Sequence, residues 1–106
     1  MSYFDHSATT PIHPLVMEKM NSTSKAHFGN PSSIHTSGRK AKSIIESSRR
    51  MIAESLHASS NEIVFTGSGT EANNSVLWSL IYEKNKHVIT SSIEHPAILK
   101  VLDSIA

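Results

Sequence analysis

A glycine-rich junction at residues 63–73 is the feature that most constrains the fold of this chain. Its sequence, Ile-Val-Phe-Thr-Gly-Ser-Gly-Thr-Glu-Ala-Asn, predicts a buried strand, a turn and a helix start. The first amides of a helix lack intrahelical acceptors and lie at the positive end of its dipole, so they can bind a phosphate. Gly67 and Gly69 can adopt positive φ close to an anion, and the hydroxyls of Ser68 and Thr70 add donors. The alternative is an ordinary loop, because Gly and Ser are common in turns.

The composition excludes several classes of function. A net charge of +1 over 106 residues does not indicate a nucleic-acid partner. The basic cluster between residues 39 and 50 is interpreted as a solvated helix face. Cysteine is absent, so these residues hold no disulfide and no nucleophilic thiolate. Without a long apolar run or a recognisable leader, no membrane association and a cytoplasmic location are expected.

Hydrophobic periodicity predicts an α/β fold containing one βαβ unit. A short extended start at residues 2–4, a first helix at 14–20 and a loop at 21–24 precede a long helix that Ser37 caps and that ends near Leu56. Strands are predicted at 62–66 and 87–90, a helix at 70–82 between them, and a last helix from Pro96. The strands are expected to be parallel, which places the glycine turn at the carboxyl edge where α/β sheets bind ligands.

The apolar pattern of the last helix predicts that the sequence is incomplete. This pattern continues to Ala106 without a stop signal. Two strands and one crossover would also leave open sheet edges and uncovered helix faces. All 106 residues are expected to form part of one domain, with no second domain in this chain.

Other types of binding site are weighed against the phosphate turn. Residues 67–72 also fit the GxGxxA form of a dinucleotide fingerprint, with Glu94 as a possible ribose ligand. A nucleotide P-loop is excluded because Thr70 and Glu71 stand where that motif needs Lys and Ser or Thr. No two of the seven histidines have the helical i, i+4 spacing of a zinc site, so no metal is expected.

His95 is a candidate functional residue because of its position. It follows the second predicted strand and precedes Pro96, at the same expected sheet edge as Gly69 and Thr70. An imidazole there could stack on a planar cofactor or move protons near neutral pH. It could also be a solvated residue beside a helix cap.

Four separate motifs together resemble those of one enzyme family. They are Asp-His-Ser-Ala-Thr-Thr-Pro at 5–11, Phe-Gly-Asn-Pro-Ser-Ser-Ile-His at 28–35, Gly-Thr-Glu-Ala-Asn-Asn at 69–74 and Ser-Ser-Ile-Glu-His-Pro-Ala at 91–97. Their order is similar to that in the cysteine desulfurases, the NifS-like and IscS-like enzymes. This family belongs to the class V aminotransferases, with the fold type I architecture of pyridoxal-phosphate enzymes. The resemblance covers essentially all 106 residues.

The resemblance implies a cofactor and a role for three residues. The cofactor is pyridoxal 5′-phosphate, whose phosphate is held by the residues matching Gly69 and Thr70. The residue matching His95 stacks over the pyridine ring and assists proton transfers. The segments at 8–10 and 30–31 would lie near the active site and the dimer contact. One departure is the order Thr66-Gly67-Ser68, where the family commonly has Thr-Ser-Gly.

The resemblance also implies a reaction and its partners. L-cysteine would yield L-alanine and an enzyme-bound persulfide for iron–sulfur clusters and thio-cofactors, with selenocysteine as an alternative substrate. A homodimer, scaffold proteins and sulfur acceptors are the implied partners.

The resemblance further implies residues that these 106 do not supply. The Schiff-base lysine, the aspartate facing the pyridine nitrogen and the catalytic cysteine lie further along in the family, and Lys84, Lys86 and Lys100 do not match the lysine motif. This chain alone is therefore expected to be inactive. It would be the N-terminal part of an enzyme, with a separately encoded remainder as a possible partner. The alternatives are a non-catalytic remnant or half of a split enzyme.

Overall fold

The computed structural model describes residues 2–83 and 87–105, and helices provide the regular structure of these ranges. Four α-helices are formed: α1 Pro14–Ala26, α2 Thr36–Ser55, α3 Gly69–Ser79 and α4 Pro96–Ile105. Two short 3₁₀ turns lie at Ser60–Glu62 and Leu80–Tyr82. Lys84, Lys86 and Ala106 lie outside the described residues. The chain divides after Ile63 into two compact units.

The strands predicted at 62–66 and 87–90 do not form, so residues 2–83 and 87–105 contain no βαβ unit. No residue in 2–83 or 87–105 is in a strand, including the extended start at 2–4. The side chain of Ile89 is 89% exposed. Two isolated parallel strands have open edges and uncovered faces, so their pairing does not offset the entropy lost in ordering them.

Helix α1 of the first unit is longer than predicted. Its predicted end at Met20 and the loop at 21–24 are wrong, because the helix continues to Ala26. The Ser22 hydroxyl donates to the Lys19 carbonyl at 3.0 Å, and the amide of His27 donates to Thr23 O at 2.8 Å. These local bonds stabilise a segment of low helix propensity.

Helix α2 confirms the predicted long helix, but its N-cap differs. The cap is His35, whose Nδ1 accepts from the amide of Gly38 at 3.2 Å, and not Ser37. The small side chains of Ala41 and Ala53 are buried. The guanidinium of Arg49 donates to the carbonyl oxygen of Ile63. That bond joins the helix to the end of the first unit.

The second unit consists mainly of α3 packed against α4. Helix α3 and the 3₁₀ turn that follows it confirm the helix predicted at 70–82. Helix α4 begins at Pro96 as predicted. Its buried residue is Val101, which lies among the half-buried residues Ile98, Leu99 and Leu102. None of the helices within the described ranges has the length and apolar character needed to cross a membrane.

Candidate functional site

An open cleft in the second unit brings the predicted site residues together. The cleft has a volume of about 330 Å³ and is lined by Gly69, Thr70, Asn73, His95 and Ala97. Gly69, Thr70 and His95 were all expected from the sequence. Asn73 and Ala97 were not, although the helical spacing of Asn73 to Thr70 could have indicated that they share a face.

The N-terminus of α3 provides two free amide donors to this cleft. Ser68 is the N-cap, and its Oγ accepts from the amide of Glu71 at 3.1 Å. Its carbonyl accepts from the amide of Ala72, also at 3.1 Å. The amides of Gly69 and Thr70 have no acceptor in the parts of the chain that the structure describes. They are the first-turn donors that a helix leaves unpaired.

The Gly67 amide is not free to bind an anion, because it already donates a hydrogen bond to a carboxylate of the protein. Gly67 N donates to Glu71 Oε2 at 2.7 Å. Gly67 and Gly69 do not use the positive φ that is open to glycine, since no glycine in the described residues adopts one. The turn is therefore closed by the Glu71 side chain and does not depend on left-handed glycine geometry.

His95 is held in one orientation at the start of α4. Its Nδ1 accepts from the amide of Ala97 at 3.1 Å, and its carbonyl accepts from that of Ile98 at 2.8 Å. An Nδ1 that accepts a hydrogen bond carries no proton, so the neutral ring carries its proton on Nε2. His95 is thus both a helix cap and a cleft residue, and Nε2 is the nitrogen left for other chemistry.

The donors of the cleft match the chemistry of a phosphate ester. Two unpaired amides, the Thr70 hydroxyl and the positive end of the α3 dipole all favour an anion. A Cβ built on Gly69 would meet no atom within 4 Å, so the space beside this residue is open. Glu94, the possible ribose ligand of a dinucleotide, is not among the lining residues.

The two other motifs belong to the first unit. At residues 5–9, the Asp5 carbonyl accepts from the amides of Ala8 and Thr9 and closes a turn. In the second motif, Asn30 Oδ1 accepts from the amide of Ser32 at 2.9 Å. In residues 2–83 and 87–105, no group of three or more His, Cys, Asp or Glu side chains could hold a metal ion.

Comparison with known proteins gives one consistent result. The family described as Aminotransferase class-V matches residues 2–106. Cysteine desulfurase IscS of Dictyoglomus turgidum is 46% identical over 101 residues, covering 92% of this chain and 26% of the relative. Cysteine desulfurase IscS of Methanosarcina thermophila is 45% identical over 100 residues, covering 92% and 25%. The IscS-like cysteine desulfurase of Mycobacterium tuberculosis is 39% identical over 105 residues, covering 93% and 26%.

These relatives match nearly all of this chain, whereas the chain spans about a quarter of their length. The matched residues include the α3 turn and the His95 segment that form the cleft. The chain belongs to the class-V aminotransferase family.

Proposed function

We propose that these residues form the cofactor-phosphate half of the active site of a pyridoxal-phosphate-dependent cysteine desulfurase, as the N-terminal part of one fold type I domain. The observation that carries the proposal is the shared cleft of the free Gly69 and Thr70 amides and the His95 imidazole. The names of the relatives support the activity.

In this proposal the α3 N-terminus holds the cofactor phosphate. The amides of Gly69 and Thr70 donate to it, and the Thr70 hydroxyl adds a third donor. Ser68 Oγ accepts from the Glu71 amide, and its hydroxyl proton is a further donor at the same end of the helix. When bound, pyridoxal phosphate supplies an electron sink for bond breaking next to the amino group of the substrate.

His95 is proposed to stack on the cofactor ring and to move a proton. The Ala97 amide occupies Nδ1, so transfer takes place at Nε2. The same hydrogen bond restrains the ring plane relative to α4, which limits the orientations that the imidazole can adopt.

The proposed substrate is L-cysteine, converted to L-alanine while the sulfur passes to a thiol. These 106 residues contain no cysteine, so the thiol comes from outside them. The lysine that binds the cofactor is also proposed to lie outside them. Selenocysteine is the alternative substrate. A homodimer, scaffold and sulfur-acceptor partners and a cytoplasmic location are part of the proposal.

The test replaces the matching first quarter of the Dictyoglomus turgidum relative with residues 1–106. The chimera should bind pyridoxal phosphate, followed by visible absorbance, and form alanine from L-cysteine. Thr70→Ala should weaken cofactor retention about tenfold, the effect of losing one charge-assisted hydrogen bond of roughly 1.5 kcal/mol. Thr70→Ser keeps the hydroxyl and is the matched control.

His95 needs two variants, because it both caps α4 and lines the cleft. His95→Asn keeps a side chain that caps helices well but removes the ring, whereas His95→Ala removes both. Both variants should alter the cofactor absorbance and slow alanine formation, and only His95→Ala should also lower thermal stability. Wild-type absorbance and rate in both would show that the assigned role is wrong.

A further inference from the structure

We infer that Glu71 is a positioning residue for the phosphate-binding turn. This inference rests on the proposed function, because it concerns how the chain presents the Gly69 and Thr70 amides to the cofactor phosphate. Glu71 is exposed and does not line the cleft. Its role is therefore to hold the turn and not to contact the cofactor.

Two hydrogen bonds of Glu71 close the turn from opposite directions. Its carboxylate Oε2 accepts from the amide of Gly67 at 2.7 Å, and its own amide donates to Ser68 Oγ at 3.1 Å. The Gly67 contact is short, as expected for an amide donating to a charged acceptor. Residues 67–71 are thereby tied into one closed loop, in which the amides of Gly69 and Thr70 have no acceptor among the described residues.

The carboxylate has two effects that can be separated. As an acceptor it holds Gly67, which orders the turn and favours phosphate binding. As a negative charge near the N-terminus of α3 it interacts favourably with the helix dipole and repels a phosphate at the same end. Glutamine keeps the acceptor and removes the charge, whereas alanine removes both.

Gly67 gives an independent way to disturb the same contact. A Cβ at this position would lie 3.1 Å from Glu71 Oε2. That distance is tight, so in Gly67→Ala the carboxylate must shift by a few tenths of an ångström, while the charge of the chain stays unchanged.

The experiment titrates the 106-residue chain with inorganic phosphate and follows the amide resonances of Gly69 and Thr70 by ¹⁵N–¹H NMR. Glu71→Ala should weaken phosphate binding about fivefold, as expected for a lost ordering hydrogen bond. Gly67→Ala should weaken it in the same direction. Glu71→Gln should bind phosphate as tightly as the wild type or more tightly. Asp103→Asn is the control, because it removes the same charge as Glu71→Gln at an exposed position on α4. It should change the phosphate affinity little.

Urea unfolding of the same variants separates positioning from simple stabilisation. Glu71→Gln should be less stable than the wild type because it loses a favourable dipole interaction, yet its phosphate affinity should not fall. Phosphate affinity and the free energy of unfolding could both fall from the wild type to Glu71→Gln and fall further in Glu71→Ala. In that case Glu71 is only structural and the inference is wrong. It is also wrong if Glu71→Ala binds like the wild type. If phosphate does not shift the wild-type Gly69 and Thr70 resonances, the phosphate site itself fails, and with it the inference.

Discussion

Two positions of the first unit require glycine because backbone atoms lie too close for a side chain. A Cβ on Gly38 would lie 2.3 Å from Ser33 O and 2.6 Å from Asn30 O, and one on Gly29 would lie 2.7 Å from Ser37 C and O. The loop at 28–35 therefore packs directly against the first turn of α2, with Gly38 buried at the contact. These glycines are explained by lack of space and not by left-handed φ.

Gly38→Ala should lower the free energy of unfolding by about 1–3 kcal/mol, because the added methyl group meets backbone atoms that cannot move independently. Gly69→Ala is the control, since its Cβ position is open, and it should change stability by less than about 0.5 kcal/mol. Urea unfolding followed by circular dichroism measures both. Equal stability of the two variants would contradict the packing of this loop.

The sequence predicted that three candidate site residues lie together, but it did not predict the hydrogen bonds around them. Gly69, Thr70 and His95 share one cleft, although the sheet edge from which their proximity was predicted does not form. The packing of α3 against α4 brings them together instead. The hydrogen bond from the Gly67 amide to the Glu71 carboxylate was not predicted. A carboxylate four residues away can point into the turn or into solvent, and sequence spacing does not decide between them.

At the level of elements, helices were predicted well and strands were not. A helix is held by bonds between residues close in sequence, so periodicity and caps located α2, α3 and α4. A strand needs a ladder of hydrogen bonds to a segment distant in sequence, and residues 63–66 and 87–90 do not form strands in this structure. The caps were predicted less well, since histidine Nδ1 atoms cap α1, α2 and α4 through His13, His35 and His95.

Helix α2 ends in a Schellman motif with a histidine at the left-handed position. The amide of Ala58 donates to Ala53 O at 2.9 Å and that of His57 to Glu54 O at 3.2 Å, with His57 at φ 53°. Glycine is the usual residue here because it has no Cβ to clash. No glycine stands at this position as a stop signal, yet the helix ends within one residue of the prediction.

His57→Gly should therefore raise the free energy of unfolding by about 0.5–1 kcal/mol. His57→Ala keeps the Cβ and is the matched control, which should bring no gain. Thermal unfolding followed by circular dichroism distinguishes the two variants. A glycine variant no more stable than the alanine variant would contradict the left-handed cap.

At the scale of the whole molecule, little apolar surface is buried. The buried apolar residues in the described ranges are Ala41, Ala53 and Val101, all of modest size. Many large side chains are mostly exposed, including Phe4 at 92% and Ile93 at 91%. Because burial of apolar area is the main favourable term in folding, we expect the chain alone to have a small free energy of unfolding.

The slope of urea unfolding tests this conclusion, because the m-value scales with the surface exposed on unfolding. The isolated 106-residue chain should unfold with an m-value below the low end of the range for small proteins, about 1 kcal/mol/M, and over a broad transition. Adding the remaining three quarters of the Dictyoglomus turgidum relative as a separate chain should sharpen the transition, if the exposed apolar residues pack against it. A steep, single transition of the isolated chain would mean that it buries far more apolar surface than these three residues provide.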